Sequence, residues 1–311
     1  MHLMIPFAAP LSEAGRQAST TLSLPRLQTL LARWAEVHRD TGDERSLSPP
    51  HERARARALG LRGGDGQLPW AALQAQVDGL AVVVGEGAWG LITPAHWHLG
   101  TDQVSLLDPQ ALMLDAAGSL ACFEALQDLF TSQGYVMRHA APLRWYVQHP
   151  SLAQLATASL DRVIGRNVDA WLGTAPALQA IRRLQSEVQM VLYTHVLNEV
   201  REAQGLLPVN SFWLSGCGVA QVVTGTEPTT DARLRAPALA DDWAAWVKAW
   251  DTLDAGPLAD LLQRAERGEP VRLTLCGERS AAAFEPAPRG LLQRARGLFA
   301  APAVQPLLES L

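Results

Sequence analysis

Lysine is almost missing from this chain: of its 26 basic residues only Lys248 is lysine, and the rest are arginine. No lysine lies in a glycine-rich loop, which excludes a P-loop nucleotide-binding motif. A Schiff-base lysine would have to be Lys248, between Trp246 and Trp250 on an expected helix. Cysteine is scarce too. Cys122, Cys217 and Cys276 form no CxxC pair, which excludes a zinc ribbon and a disulfide framework and fits a reducing cytoplasm. No stretch approaches the ~18–20 uninterrupted apolar residues that a membrane span needs. A net charge of −5 is far from the basic balance of a nucleic-acid binder. Neither nucleic acid nor a membrane is therefore expected as a partner. The first ten residues are apolar but have no basic leader and include Pro6, so they read as a strand rather than a secretory signal.

What is present is an ordinary core-forming chain. With 311 residues, 48% of them hydrophobic, it can bury roughly 75% of the surface its unfolded form exposes. Residues 2–8 predict a buried strand. Leu27, Leu30, Leu31, Trp34 and Val37 share one face of a helix over 24–38. Pro49-Pro50 opens a helix over 51–59, and the glycines of 60–66 break it. Residues 90–99 read as a strand holding Pro94, hence an edge or a bulge. A hairpin is expected over 135–148 and one long helix over 178–203. Strands at 209–214 and 219–223 would flank a Ser215-Gly216-Cys217-Gly218 turn. The Trp243, Trp246 and Trp250 stripe reads as core. Strands and helices intermix, some strands joined by hairpins, which predicts an α/β fold: a mixed sheet with helices packed on it. The expected organisation is a single α/β domain over 1–286. A dispensable tail, 287–311, follows, carrying a short basic amphipathic helix of Arg289, Arg294 and Arg296 with Leu291, Leu292, Leu298 and Phe299.

The densest polar segment is 187–218. At about 100° per residue, Glu187, Thr194, His195, Asn198, Arg201 and Glu202 fall within roughly a third of the helix circumference. Leu192, Tyr193, Val196, Leu197 and Val200 take the other side. An imidazole, a carboxamide and a guanidinium in successive turns suit a small anionic ligand. The Gly216-x-Gly218 turn, with Asn210 and Ser211 before it, could add donors. The candidate ligand-binding set is thus His195, Asn198, Arg201, Asn210, Ser211, Gly216 and Gly218. The alternative is an amphipathic surface helix followed by a plain turn. Cys217 would act as a nucleophile only with a lowered pKa. His96 and His98 share a strand face, but zinc needs a third ligand and none presents itself.

The run LQSEVQMVLYTHVLNEVREAQGLLPVNSFWLSGCG, together with ITPAHWHLGTDQVSLLDP, Trp145-Tyr146 and Val163-Ile164-Gly165-Arg166-Asn167, resembles the bacterial regulatory protein RpfE family. Members are often labelled phosphoglycerate-mutase-like. The resemblance spans roughly residues 80–280. It departs where the family has His-Pro-Val-Asn and this chain reads His195-Val196-Leu197-Asn198. Through that label the segment is similar to cofactor-independent, archaeal-type phosphoglycerate mutases. The match falls on His195, Asn198, Arg201, Asn210, Gly216 and Gly218, and it implies an alkaline-phosphatase-like mutase fold. Those enzymes use two divalent metals held by Asp and His and a phosphorylated Ser. Here the first strand runs out into Pro6-Phe7-Ala8-Ala9-Pro10 with no acid, and no histidine follows His195. The expectation is a cytoplasmic, non-catalytic or regulatory relative without metal or cofactor, binding a small phosphorylated or carboxylate ligand. The alternatives are an active mutase or phosphatase with a non-standard metal site using His96 and His98, or a protein–protein adaptor docking through the Trp-rich helix or the tail.

Overall fold

The computed structural model describes residues 1–173, 176–286 and 304–311. They fall into two compact units, and the second is inserted into the first: Met1–Leu59 with Gly225–Leu311 form unit 1, Gly60–Thr224 form unit 2. The architecture is mixed α/β, as expected.

Unit 1 begins with β1 (His2–Ile5), α1 (Glu13–Ser19), α2 (Pro25–Arg33), β2 (Trp34–Thr41) and α3 (Pro50–Leu59). In unit 2 follow α4 (Trp70–Val77), β3 (Ala88–Ala95), β4 (Trp97–Leu99), β5 (Val104–Leu106), α5 (Ala116–Ser132), β6 (Val136–Ala141) and β7 (Arg144–Gln148). Then come α6 (Leu160–Val163), α7 (Pro176–Tyr193), α8 (Val196–Ala203) and β8 (Ser211–Val219). Unit 1 resumes with β9 (Thr229–Thr230), α9 (Arg235–Leu239), α10 (Trp243–Leu253), α11 (Ala259–Glu266), β10 (Arg272–Cys276), β11 (Ser280–Pro286) and α12 (Val304–Glu309).

The unit 1 sheet is ordered β2-β11-β10-β1-β9, with β1 parallel to β10 and β9 and the other pairs antiparallel. The parallel centre is covered on both faces, which is why β1 reads as a continuous apolar run rather than an alternation. Leu3 and Ile5 pack with Leu27, Leu30, Trp246 and Trp250, while Met4 packs with Cys276, Ala281 and Ala54 of α3. The tryptophan stripe of α10 is therefore core at Trp246 and Trp250, and the Trp246 indole N–H donates to Phe7 O at 3.0 Å.

Near the start of β1, His2 faces Thr274 Oγ1 at 2.8 Å. Burial first, then the Arg272 charge, lowers its pKa from 6.5 to about 4. The folded state thus takes up this proton later than the unfolded state as pH falls. Stability is complete above pH 6.5 and is lost as pH drops from there toward about 4. His2→Gln should flatten that acid limb, as measured by urea midpoints between pH 7 and 4.

Three expectations need correction here. The helix expected over 24–38 stops at Arg33, and residues from Trp34 onward become β2, which pairs antiparallel with β11. A helix continued through Glu36, His38, Arg39 and Asp40 would have had little to bury. As a strand the segment pairs with the backbone of β11. Second, Pro94 is not on an edge strand. β3 lies between β7 and β8, but its pairing with β7 spans only Trp89 to Ile92, so Pro94 faces β8 alone. The ring therefore sits where no ladder donor is needed. Third, the chain end is no dispensable tail. The amphipathic helix expected there, with its arginines at 289, 294 and 296, lies outside the described residues. However, Leu308 and Leu311 are buried in the unit 1 core, and Leu311 O accepts from Arg279 N and Ser280 N.

Unit 2 is built on an antiparallel sheet, β6-β7-β3-β8, with the small β4–β5 pair beside it. One face packs α5 and α7 through Ile92, Trp145, Phe212, Phe130 and Val188. The other packs α4 through Ala71, Ala72 and Ala75 against Trp89 and Tyr146. The expected hairpin over 135–148 is β6–β7.

Candidate functional site

The long helix expected over 178–203 is two helices. α7 ends at Tyr193, and His195 is the N-cap of α8, extended at φ −81° and ψ 131°, its Nδ1 accepting from Leu197 N at 3.3 Å. A break of this kind restarts the rotational phase, so a count of 100° per residue fails across Thr194. The result is a partial reversal on α8, where Leu197 packs on the core and Glu202 is exposed as expected but other positions change sides. Asn198 and Arg201, assigned to an open polar face, are each only 5% exposed, whereas Val196 and Val200 point to solvent.

The buried polar groups serve the backbone. Asn198 Nδ2 donates to Leu192 O (2.9 Å) and Val209 O (2.7 Å), and its Oδ1 accepts from Val209 N (2.9 Å). It thereby satisfies a carbonyl left over at the end of α7 and holds the approach to β8. Arg201 Nε donates to Leu207 O at 2.9 Å and Nη2 to Leu112 O. Burial lowers its pKa. Asn210 brackets one residue of β4: its Oδ1 accepts from Trp97 N at 2.7 Å and its Nδ2 donates to Trp97 O at 2.9 Å. The Ser211 hydroxyl is buried and has no partner among the described residues.

Residues 215–218 are not a turn between two strands. They lie inside the single strand β8, where Trp89 pairs with Gly218 and Leu91 with Ser215. Two steps on β3 thus oppose three on β8, which makes a β-bulge. The two glycines sit in close packing. Gly216 has φ +63°, and a Cβ there would lie 2.9 Å from Ala71 N and Trp70 Cβ; one on Gly218 would meet Pro69 Cβ at 3.0 Å. Gly216→Ala should cost about 2–3 kcal/mol, from the left-handed backbone and the clash with α4 together. Urea denaturation would measure it. Gly216 also lies five residues along β8 from Ser211, a run of roughly 16 Å.

The other chemical candidates follow the same pattern. Burial pushes the Cys217 and Cys122 thiols up to about 12, so neither is a thiolate nucleophile near neutrality. His96 Nδ1–H donates to Pro208 O at 2.8 Å, and its ring centre lies 6.5 Å from that of His98. Among the described residues no three His, Cys, Asp or Glu are grouped to hold a metal ion. The mutase resemblance calls for a metal-binding Asp at the end of the first strand; residues 6–10 hold no acid, and Phe7 among them takes φ +58° with its ring 5.4 Å from that of His51. The residues here do not fit that metal pair.

The fold does assemble two constellations that spacing could not reveal, because their members come from different elements. Ser119 Oγ lies 2.9 Å from His139 Nε2, 2.9 Å from Pro142 O and 2.9 Å from Trp145 Nε1. A hydroxyl has one proton, and only Pro142 O must receive it. His139 then donates through Nε2–H, and burial lowers its pKa. This part-buried pair, of which only Ser119 is fully enclosed, is a structural knot, since the imidazole is no base toward the serine. In the second group Asp78, at the C-cap of α4, accepts from Arg144 Nε (2.8 Å) and Nη2 (3.0 Å) and from Tyr146 OH (2.6 Å). The Arg144 hydrogen bonds hold the Asp78 carboxyl below the usual range, while burial and then Asp78 raise the Tyr146 phenol. This cluster ties α4 to β7.

No protein-family model and no curated protein matches the chain. Among solved structures, the cofactor-independent phosphoglycerate mutase from Thermoplasma acidophilum DSM 1728 aligns with 100% of this chain and 99% of its own, at 13% identity and a TM-score of 0.39. The PH0037 protein from Pyrococcus horikoshii aligns with 92% of this chain and 87% of its own, at 12% identity and a TM-score of 0.38. Among the described residues no helix is long and apolar enough to cross a membrane.

Proposed function

We propose that this chain acts by binding rather than by chemistry, as a non-catalytic, regulatory relative of the cofactor-independent phosphoglycerate mutases, of the RpfE type that residues 184–218 resemble. One observation carries this reading. The groups in that segment best suited to chemistry, Asn198, Arg201 and Asn210, are hydrogen-bonded to backbone, and the Cys217 thiol is pushed up to about 12 by burial. A reducing, cytoplasmic compartment suits three buried thiols without a disulfide.

The test is a mutase and phosphatase assay of the purified full chain, with Mg, Mn or Zn added in turn, beside calorimetry with phosphorylated three-carbon acids. The expected outcome is no turnover under any metal. Turnover dependent on a metal and lost in His96→Ala would overturn the reading in favour of an enzyme with a non-standard site. The exposed apolar side chains on α7 and on α8 favour an adaptor as the second reading, because exposed apolar residues are a feature of association surfaces.

A further inference from the structure

Unit 1 holds a cleft of about 830 Å³ where β1 and β10 begin. That is the end of the sheet opposite to Pro6–Pro10, and the size suits a small molecule. His2 of β1 and Arg272 of β10 are register partners and so share one sheet face. There Arg272 bonds Glu285 of β11 through Nε at 2.6 Å and Nη2 at 2.5 Å, which leaves Nη1 without a partner among the described residues. The exposed Thr226 and Thr229 line the same cleft, as do Glu227 and Glu269. Each carboxylate is already closed by arginine. Glu227 accepts from Arg55 Nε (2.7 Å) and Nη2 (3.1 Å), and the two oxygens of Glu269 accept from Arg267 Nε (2.7 Å) and Arg264 Nη1 (3.1 Å).

We propose that this cleft binds a small organic anion, with its carboxylate or phosphate group on Arg272 and on the Thr226 and Thr229 hydroxyls. The proposal rests on the binding reading above and gives it a place. What selects an anion is the capacity left over. A cationic ligand would have to displace an arginine from a carboxylate, whereas an oxyanion finds donors unused: the Nη1 edge of a guanidinium already oriented by Glu285, and two hydroxyls. The electrostatics of the floor agree. At His2 the Arg272 charge lowers the imidazole pKa more than the Glu285 charge raises it. The nearby cation thus outweighs the nearby carboxylate. Glu285 is a positioning residue in this arrangement, since it holds the Arg272 fork.

The experiment follows the His2 ring of the full chain by proton–nitrogen NMR, its signal identified by its loss in His2→Gln. Sodium phosphate, sodium succinate and sodium chloride are titrated at constant pH and matched ionic strength. Phosphate or succinate should shift the signal saturably, and which of the two binds more tightly separates a phosphate from a carboxylate ligand. Arg272→Gln should weaken that binding by about tenfold or more, the effect of one charge-assisted contact. Arg272→Lys should recover only part of it, and Thr229→Val, of similar shape, should weaken it by about threefold. Arg33→Gln removes the same charge from a surface pair with Glu266, outside the cleft, and should bind as wild type does. A drift no different from that in chloride overturns the proposal. So does saturation that Arg272→Gln and Thr229→Val leave unchanged, or that Arg33→Gln weakens equally. Turnover in the mutase or phosphatase assay would refute the non-catalytic reading without altering the His2 titration; a silent His2 would refute the cleft and leave the assay's outcome standing.

Discussion

Arg201→Ala should lower the stability of unit 2 by about 3–5 kcal/mol, among the largest effects of any single substitution in this chain. The guanidinium is buried, and its hydrogen bonds run to two main-chain carbonyls, Leu207 O and Leu112 O, rather than to a carboxylate. Hydrogen bonds from a charged donor contribute about 1.5–3 kcal/mol each, and their loss leaves two acceptors without their donor. Desolvation of the guanidinium offsets part of this, which is why its pKa falls. Arg201→Lys should recover less than half of the loss, because a single ammonium cannot reproduce the fork that reaches both carbonyls. Urea denaturation gives the magnitude. Amide exchange gives the location, with faster exchange expected in residues 60–224. If Arg201 were instead a ligand group on an open face, both variants would be nearly as stable as wild type.

The corresponding residue in unit 1 is Asp254, which is 2% exposed. Its carboxylate accepts from Leu27 N at 2.9 Å and from Arg26 N at 3.1 Å, with Arg26 Nη1 at 3.7 Å. Leu24, the residue at the N-cap of α2, offers no side-chain acceptor. A carboxylate more than two hundred residues away in sequence therefore caps this helix and meets the positive end of its dipole. Asp254→Ala should cost about 3–4 kcal/mol, since two N–H groups lose their partner in the core. Asp254→Asn keeps one acceptor and should cost about 1–2 kcal/mol. Equal losses for the two variants would show that packing, rather than capping, sets the effect.

Both residues illustrate what a sequence can show. β1, α3, the β6–β7 hairpin and the core role of Trp246 and Trp250 were legible, because local periodicity and turn residues carry them. The role of Asn198 and Arg201 was not. A helical wheel assumes an unbroken helix, and nothing in Tyr193-Thr194-His195 announces that the helix stops and restarts with His195 as its cap. The Gly216-x-Gly218 spacing was equally ambiguous, since a ligand loop and a bulge against an alanine-faced helix need the same residues. The Ser119–His139 knot and the Asp78–Arg144–Tyr146 cluster unite separate elements, so only tertiary structure could reveal them. Lysine scarcity, by contrast, finds a partial reason. Arg53 and Arg201 each bridge acceptors on separate residues that one ammonium could not reach together, and Arg144 grips both oxygens of Asp78.

The insertion of unit 2 between α3 and β9 orders events during synthesis. Residues 60–224 are complete, with all four strands of their sheet, before β10 and β11 have been translated. Until then β1 lacks β10 and β2 lacks β11, its one partner among the described residues, so two strands of the first unit wait at the ribosome with open edges. Strand edges kept waiting are sites for mispairing. The Glu36, Arg39 and Asp40 charges along β2 then have a purpose beyond the finished fold: they keep the longer of the two waiting strands soluble until Ser280–Pro286 arrives.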